Sequence, residues 1–384
     1  MQRAGLYLHI PFCRAKCAYC DFNSYAGLGE LHDRYVRALC VEVRSSAAAL
    51  PSPPPEVDTI YIGGGTPTVL PSSGLGEILT ACQESFYCVP DCEVSIEANP
   101  GTVSLESLTT LLQAGVNRLS LGAQSFLEDE LRLLGRIHTP EQIGQALALA
   151  RAVGFDNVNL DLMYGLPGQA IARWHLDLQQ ALGLEPEHLS LYALSVEEGT
   201  HLAGMIADGS LRQPDPDLAA DMYELAEERL AQAGYEHYEL SNWAMPTRAC
   251  RHNLRYWQTE PYIGFGAGAH SYSEGQRYQN AKQPYDYVTR VESGASPREA
   301  QETIAPRERM AESMILGLRL LQGVHFDEFE RRHGRDLRTV YATELADLSQ
   351  LGLITLDNRS VRLTARGLLL ANQAFARFWP PASE

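Results

Sequence analysis

Three cysteines near the start of the chain carry the chemistry most readable from residue type and spacing. Cys13, Cys17 and Cys20 form a C-x3-C-x2-C run directly after the apolar stretch 6–10. Three thiolates on one short loop can hold three irons of a [4Fe–4S] cubane and leave the fourth iron without a protein ligand. An open iron can chelate the amino and carboxylate groups of S-adenosylmethionine (SAM). Electron transfer from the reduced cluster then breaks a C–S bond and gives a 5′-deoxyadenosyl radical. On spacing alone, a zinc site and free thiols stay open as alternatives. A closed zinc site takes four ligands, and the next residues, Asp21 and Phe22, are neither Cys nor His, although His9 lies upstream. Cys40, Cys82, Cys88 and Cys92 have no metal-ligand spacing and read as free thiols.

A loop of this kind needs strands to hold it. Strand-like segments fall at 6–10, 58–62, 93–97, 118–121, 158–163 and 189–193. Helical periodicity falls at 33–50, 104–114, 139–153 and 171–182, with Thr139 and Pro140 as cap and first turn. Residues 51–55 read as a proline-rich surface loop. About six βα repeats imply the α/β class, a parallel sheet with helices outside. We expect a partial (βα)6 barrel with its site in the loops after the strands. An open doubly wound sheet is the alternative on pattern alone. Gly63-Gly64-Gly65-Thr66-Pro67 closes the second strand and can bring bare backbone close to a ligand. With no Gly-Lys-Ser/Thr following, it is not a phosphate loop. After about residue 297 the pattern changes to helices at 307–320, 327–333 and 337–351, a hairpin turning at Asp357-Asn358, and a closing helix at 365–378. This reads as a helical, winged-helix-like module, a structural cap or partner surface. The expected division is 1–295 for the barrel with its extension and 296–384 for the module.

The chain has 384 residues, 45% hydrophobic, with a formal net charge of −17. That is ample for a core, and the acidic excess argues against general nucleic-acid binding, which needs clustered Lys and Arg. The stretch 6–10 is too short for a signal-peptide core, and no run approaches the ~18 apolar residues of a membrane helix. The reading is cytoplasmic, without a membrane anchor, its thiols serving as ligands or staying free rather than pairing in disulfides.

Tyr7-Leu-His9-Ile-Pro11-Phe12-Cys13-x3-Cys17-x-Tyr19-Cys20 resembles the opening of the oxygen-independent coproporphyrinogen III oxidase (HemN) family of radical SAM proteins. The likeness continues through Gly63–Pro67, Ile96-Glu97-Ala98-Asn99-Pro100, Gly122-Ala123-Gln124-Ser125-Phe126, Gly135-Arg136-x-His138 and Asp161-x-x-Tyr164-Gly165-Leu166-Pro167-Gly168. The resemblance implies a cluster on the three cysteines and a SAM pocket. Gly63, Gly64, Gly65 and Thr66 would offer backbone to the methionine ammonium, and Glu97 would accept from the ammonium or the ribose hydroxyls. Gln124, Arg136 and Asp161 would contact the ribose, carboxylate and methionine parts. Tyr7, His9 and Tyr19 would lie beside cluster and substrate. It also implies an electron donor for the cluster.

Two departures separate this chain from the oxidases. They carry a further Cys two residues past the last cluster ligand, where Phe22 stands here. In addition, Cys250-Arg-His252-Asn253-Leu-Arg-Tyr256-Trp257 resembles the H-N-x-x-Y-W motif of the HemW-type heme-chaperone branch, as does Gly264-Phe-Gly266-Ala-Gly268-Ala-His270-Ser-Tyr272. The resemblance implies heme binding and delivery to acceptor proteins, expected among respiratory membrane enzymes. His252 would ligate heme iron, Tyr256 and Trp257 would give flat apolar surface to the porphyrin, and Asn253 would orient His252 by a hydrogen bond. Cys250 and His270 are weaker candidates, and a packed aromatic loop with a structural His is the bland reading. The alternative function is radical oxidative decarboxylation of coproporphyrinogen III, or radical chemistry on another tetrapyrrole.

Overall fold

The computed structural model describes residues 3–50 and 54–380. Most of the proline-rich stretch 51–55 therefore lies outside the described residues. Six strands, Arg3–Ile10, Glu56–Gly64, Cys88–Ala98, Arg118–Gln124, Val158–Tyr164 and His188–Ala193, lie side by side, parallel and in chain order. Between them the chain returns through helices His32–Ala49, Ser72–Ser85, Leu105–Gln113, Pro140–Val153 and Ile171–Gly183. These are the expected βα repeats. Helix Ser72–Ser85 had no clear sequence signal, because Gly74 and Gly76 dilute its apolar stripe. Gly74 is there because a Cβ would stand 3.1 Å from Val36 of the neighbouring helix.

The strands are buried on both faces, as a helix-covered parallel sheet requires; every residue of Arg118–Gln124 is buried. Side chains alternate along each strand. One set packs outward on the helices, and the other faces inward: Thr59 and Tyr61, Glu93 and Glu97, Arg118, Ser120, Gly122 and Gln124, then Asn159 and Asp161.

The sheet extends further than the six repeats. Tyr262–Phe265 joins it parallel to Arg3–Ile10. Antiparallel strands add to both edges, Asn242–Ala244 and Glu236–Glu239 on one side, His270–Ser273, Gln276–Asn280 and Arg298–Thr303 on the other. These are short; Arg298–Thr303 is exposed throughout and carries no apolar alternation.

The C-terminal residues build a second apolar core, around Met314, Leu318, Phe329, Leu348, Val361 and Phe375. Its helices Pro306–Gly317, Phe326–His333 and Ala342–Gln350 pack with a three-stranded sheet ordered Val324–His325, Ser360–Leu363, Ile354–Leu356. Two expected continuous helices are interrupted. The first breaks at Tyr341 (φ −116°), whose ring turns edge-on to Phe378 at 5.2 Å, and the last breaks at Leu370. No helix among the described residues is long and apolar enough to cross a membrane.

Candidate functional site

The cluster loop leaves the end of Arg3–Ile10 and is pinned at both ends. Phe12–Cys13 pairs with Tyr25–Ala26, Gly65 N–H donates to Ile10 O and Thr66 N–H to Phe12 O. Mid-loop, Ala18 N–H donates to Leu134 O. Cys13, Cys17 and Cys20 all line a cavity of about 500 Å³ that runs down the inside of the barrel. Among the described residues, no three His, Cys, Asp or Glu side chains are close enough together to share one ion. The donor set fits a cubane, in which each of three thiolates binds a different iron, and it lacks the fourth ligand of a closed zinc site, since both ring nitrogens of His9 are engaged by Tyr7 and Asn23.

Each thiol has its own hydrogen-bonding neighbour. Thr66 Oγ1 donates to Cys13 Sγ at 3.7 Å, Arg136 Nη1 donates to Cys17 Sγ at 3.3 Å, and Cys20 Sγ and Ser24 Oγ lie 3.7 Å apart. These donors are tied together. Arg136 Nη2 donates to Asn99 Oδ1 and to Gly122 O, and Asn99 Nδ2 donates to Thr66 Oγ1 at 2.9 Å. A belt Cys17–Arg136–Asn99–Thr66–Cys13 thus crosses the strand ends beneath the loop. Asn99 is a site residue that sequence reading missed, although it lies within a quoted motif. Gly122 is glycine because a Cβ would stand 3.1 Å from both Arg136 and Asn99.

The glycine run is shaped as much by protein as by any ligand. A Cβ on Gly63 would meet the Tyr61 ring at 2.8 Å, one on Gly65 would meet Phe12 O at 2.6 Å, and one on Gly64 (φ +116°) would sit 2.5 Å from the His9 ring. Gly63 is buried away from the cavity, while Gly64, Gly65 and Thr66 line it. Glu97 accepts from Tyr61 OH at 2.8 Å and from Gly64 N–H at 3.0 Å, and burial lifts its carboxyl to about 7. Asp161 accepts from Asn159 at 2.8 Å and Ser120 at 3.1 Å, and burial raises it too. Gln124 reaches the rim from a strand bulge at φ +67°. Tyr19 lines the cavity; Tyr7 and His9 do not. His9 donates from Nε2 to Asn23 O at 2.9 Å, which leaves Nδ1 to accept from Tyr7 OH at 3.0 Å. The pair braces the cluster loop from behind. Phe22 stands 66% exposed at the cavity mouth.

The heme-like motif differs from expectation. It is a helix, Arg251–Trp257, lying across the barrel floor. Glu93 caps it, accepting from Arg251 N–H at 3.0 Å and His252 N–H at 3.1 Å. Arg255 is buried between Asp58 and Glu260. His252 is fully buried, with Nδ1 2.9 Å from Thr59 Oγ1, Nε2 2.9 Å from Tyr256 OH, and its ring stacked 5.3 Å from Tyr61. In this arrangement neither ring nitrogen is free for iron. Burial, then the charge of Arg255, pushes His252 down to about 3, so it is neutral. Asn253 does not orient His252, whose partners are Thr59 and Tyr256; it lines the cavity instead. Tyr256 packs edge-on to Tyr262 at 4.7 Å, and Arg319 lies 4.1 Å over the Trp257 ring. Neither aromatic offers an open face. The reason is geometric: positions 252, 255 and 256 fall on one side of a helical turn, and that side points into the barrel. Cys250 is buried and donates to Glu93, while His270 is exposed on an added strand. The expected free thiols Cys40, Cys82, Cys88 and Cys92 are unpaired here.

A parallel βα sheet carrying a three-cysteine loop over a glycine-rich turn defines a radical SAM protein. The family model described as Radical SAM superfamily matches residues 7–179, and the HemN C-terminal domain matches residues 304–370. Radical SAM membership implies a [4Fe–4S] cluster and SAM. The fold is similar to that of coproporphyrinogen III oxidase (HemN) from Escherichia coli, with a TM-score of 0.85 and 26% identity over 98% of this chain and 90% of that chain. Within that class the chain belongs to the HemW family. It is 38% identical to heme chaperone HemW of Bacillus subtilis over 97% of this chain and 98% of that protein. It is 40% identical to the Mycobacterium tuberculosis heme chaperone HemW, over 97% and 93%. It is also 34% identical to the bovine mitochondrial radical S-adenosyl methionine domain-containing protein 1, over 96% and 85%.

Proposed function

We propose that this chain binds heme and hands it to acceptor proteins, with a cluster held by Cys13, Cys17 and Cys20 and SAM seated against Gly64, Gly65 and Thr66. The observation that carries this reading is the end-to-end likeness to proteins named heme chaperone. Phe22 at the cavity mouth, in place of the oxidases' further cysteine, supports it. When bound, the reduced cluster supplies an electron from an external donor to the SAM sulfonium. Thr66, Arg136 and Ser24 would hold the sulfurs by hydrogen bonds, Glu97 would accept from the ligand's ammonium or ribose hydroxyls, Gln124, Arg136 and Asp161 would meet its ribose, carboxylate and methionine parts, and Tyr19 would wall the pocket. Tyr7 and His9 act through the loop, by bracing it. His252 would ligate the heme iron once Tyr256 OH releases its Nε2. The 296–384 module is the cap or partner surface for acceptors. The chain's other five cysteines, Cys40, Cys82, Cys88, Cys92 and Cys250, form no disulfide, which fits a reducing cytoplasmic setting.

The test is an anaerobic hemin titration of the cluster-reconstituted protein, read in the Soret region beside His252→Ala. Saturable binding of one heme, weakened or spectrally altered by the substitution, is the expected result. Absence of specific binding would overturn the carrier reading. Anaerobic conversion of coproporphyrinogen III with SAM and a reductant would move the chain to the oxidases.

A further inference from the structure

The barrel floor holds a guanidinium whose Nε has no hydrogen-bond partner among the described residues. Arg118 is 2% exposed, one of the largest fully buried side chains, and it lines the same cavity as the cluster cysteines. Its Nε is buried without a hydrogen-bond partner, and no carboxylate closes on its guanidinium among the described residues. Three acids face it and all are engaged elsewhere. Glu93 caps the floor helix, Glu97 holds Tyr61 and Gly64, and Asp161 holds Asn159 and Ser120. A buried guanidinium left without a bidentate partner is costly, and its planar fork matches a carboxylate. Arg118 opens the strand whose inward residues Ser120, Gly122 and Gln124 climb to the rim. It therefore lies at the far end of that strand from Gln124 and Arg136, too deep to serve a carboxylate chelated at the cluster iron. Asn253, from the floor helix, lines the cavity with it.

We infer that Arg118, aided by Asn253, is a carboxylate subsite at the cavity floor that takes a porphyrin propionate. The assignment rests on the heme-binding reading and deepens it, since it makes an acidic side chain of the tetrapyrrole, rather than its iron, the group recognised inside the barrel. It also gives Asn253 of the H-N-x-x-Y-W helix a role other than orienting His252.

The test uses iron-free probes, so that His252 ligation plays no part. Protoporphyrin IX and its dimethyl ester are titrated into reconstituted wild type, Arg118→Gln and Arg118→Lys, followed by porphyrin fluorescence. Wild type is expected to bind the diacid about tenfold more tightly than the ester, the size of one charge-assisted hydrogen bond. Arg118→Gln removes that preference by weakening the diacid alone, and Arg118→Lys retains part of it. Circular dichroism melts confirm that the variants are folded. Equal binding of acid and ester by wild type, or an unchanged preference in Arg118→Gln, overturns the subsite and leaves heme binding standing. No porphyrin binding by wild type overturns the subsite, and the hemin titration, in which iron ligation contributes, decides the heme-binding reading separately.

Discussion

Arg136 is the residue through which the cluster loop and the strand ends act together. Its guanidinium donates to Cys17 Sγ, to Asn99 and to Gly122 O. Hydrogen bonds to a ligating sulfur draw charge from it and raise the cluster potential. Arg136→Lys keeps the charge and loses the fork, so the midpoint potential is expected to fall by about 40 mV, the one-electron equivalent of roughly 1 kcal/mol. EPR-monitored redox titration of the reconstituted protein checks this, and an unchanged potential would separate Arg136 from the cluster. Glu97 sets a pH dependence. Its carboxyl titrates near 7 because burial disfavours the charge, so below that pH it is neutral and a poorer acceptor for an ammonium. SAM affinity should weaken as pH falls from about 7.5 to about 6, and Glu97→Gln should flatten the profile at the weak end. Equilibrium SAM binding across that range measures both, and a flat wild-type profile would remove Glu97 from the pocket.

At the scale of elements, helix His32–Ala49 is locked to the glycine-rich segment behind the cluster loop by one buried acid. Glu42 accepts from Tyr287 OH at 2.6 Å, Asn280 at 2.7 Å and Gly266 N–H at 2.8 Å, yet burial still lifts it to about 7. The folded protein therefore holds a proton here that the unfolded chain releases near its ordinary value of 4.5. Stability from this group is present at low pH and declines as pH rises through the interval up to about 7. Relative to Glu42→Gln, the wild type should lose on the order of 3 kcal/mol between about pH 4.5 and 7.5. Urea unfolding of both proteins at several pH values measures the difference, and parallel curves would refute it. None of this was readable from Glu42 alone, which looks like any charged residue on an amphipathic helix. The C-x3-C-x2-C loop was readable because its three ligands are local in sequence, and the six strands because their helix-facing positions are apolar at every second residue. The floor helix was read as heme-facing because its aromatic pattern says which residues share a side, while only the fold says that side points inward. Arg118 and Asn99 escaped for the same reason: their meaning depends on strand register and on what stands across the barrel.

The C-terminal core meets the barrel through apolar contacts of Leu240 and Leu368 and through a small set of polar contacts that tie the module to the barrel floor. Arg319 is central. It pairs with the fully buried Glu239 at 3.2 Å, lies over Trp257 at the end of the floor helix, and its backbone carbonyl accepts from Leu240 N–H. Leu321 N–H donates to Tyr238 O across the same seam. Nearby, Arg332 reaches Gln258 O and Thr259. A turn of the floor helix that frees His252 therefore has to move Trp257 against the module. Removing Arg319 leaves a buried carboxylate without its cation, an effect worth roughly 3 kcal/mol. Arg319→Ala should cost about that much in stability, and adding Glu239→Gln should restore part of it, because the remaining acid is what makes the single change expensive. Denaturant unfolding of the two single variants and the pair gives the coupling. If the seam also restrains the floor helix, Arg319→Ala will bind hemin faster than wild type in stopped-flow mixing while His252→Ala will not. Identical association rates in all three proteins would mean that heme reaches the chain without the floor helix moving.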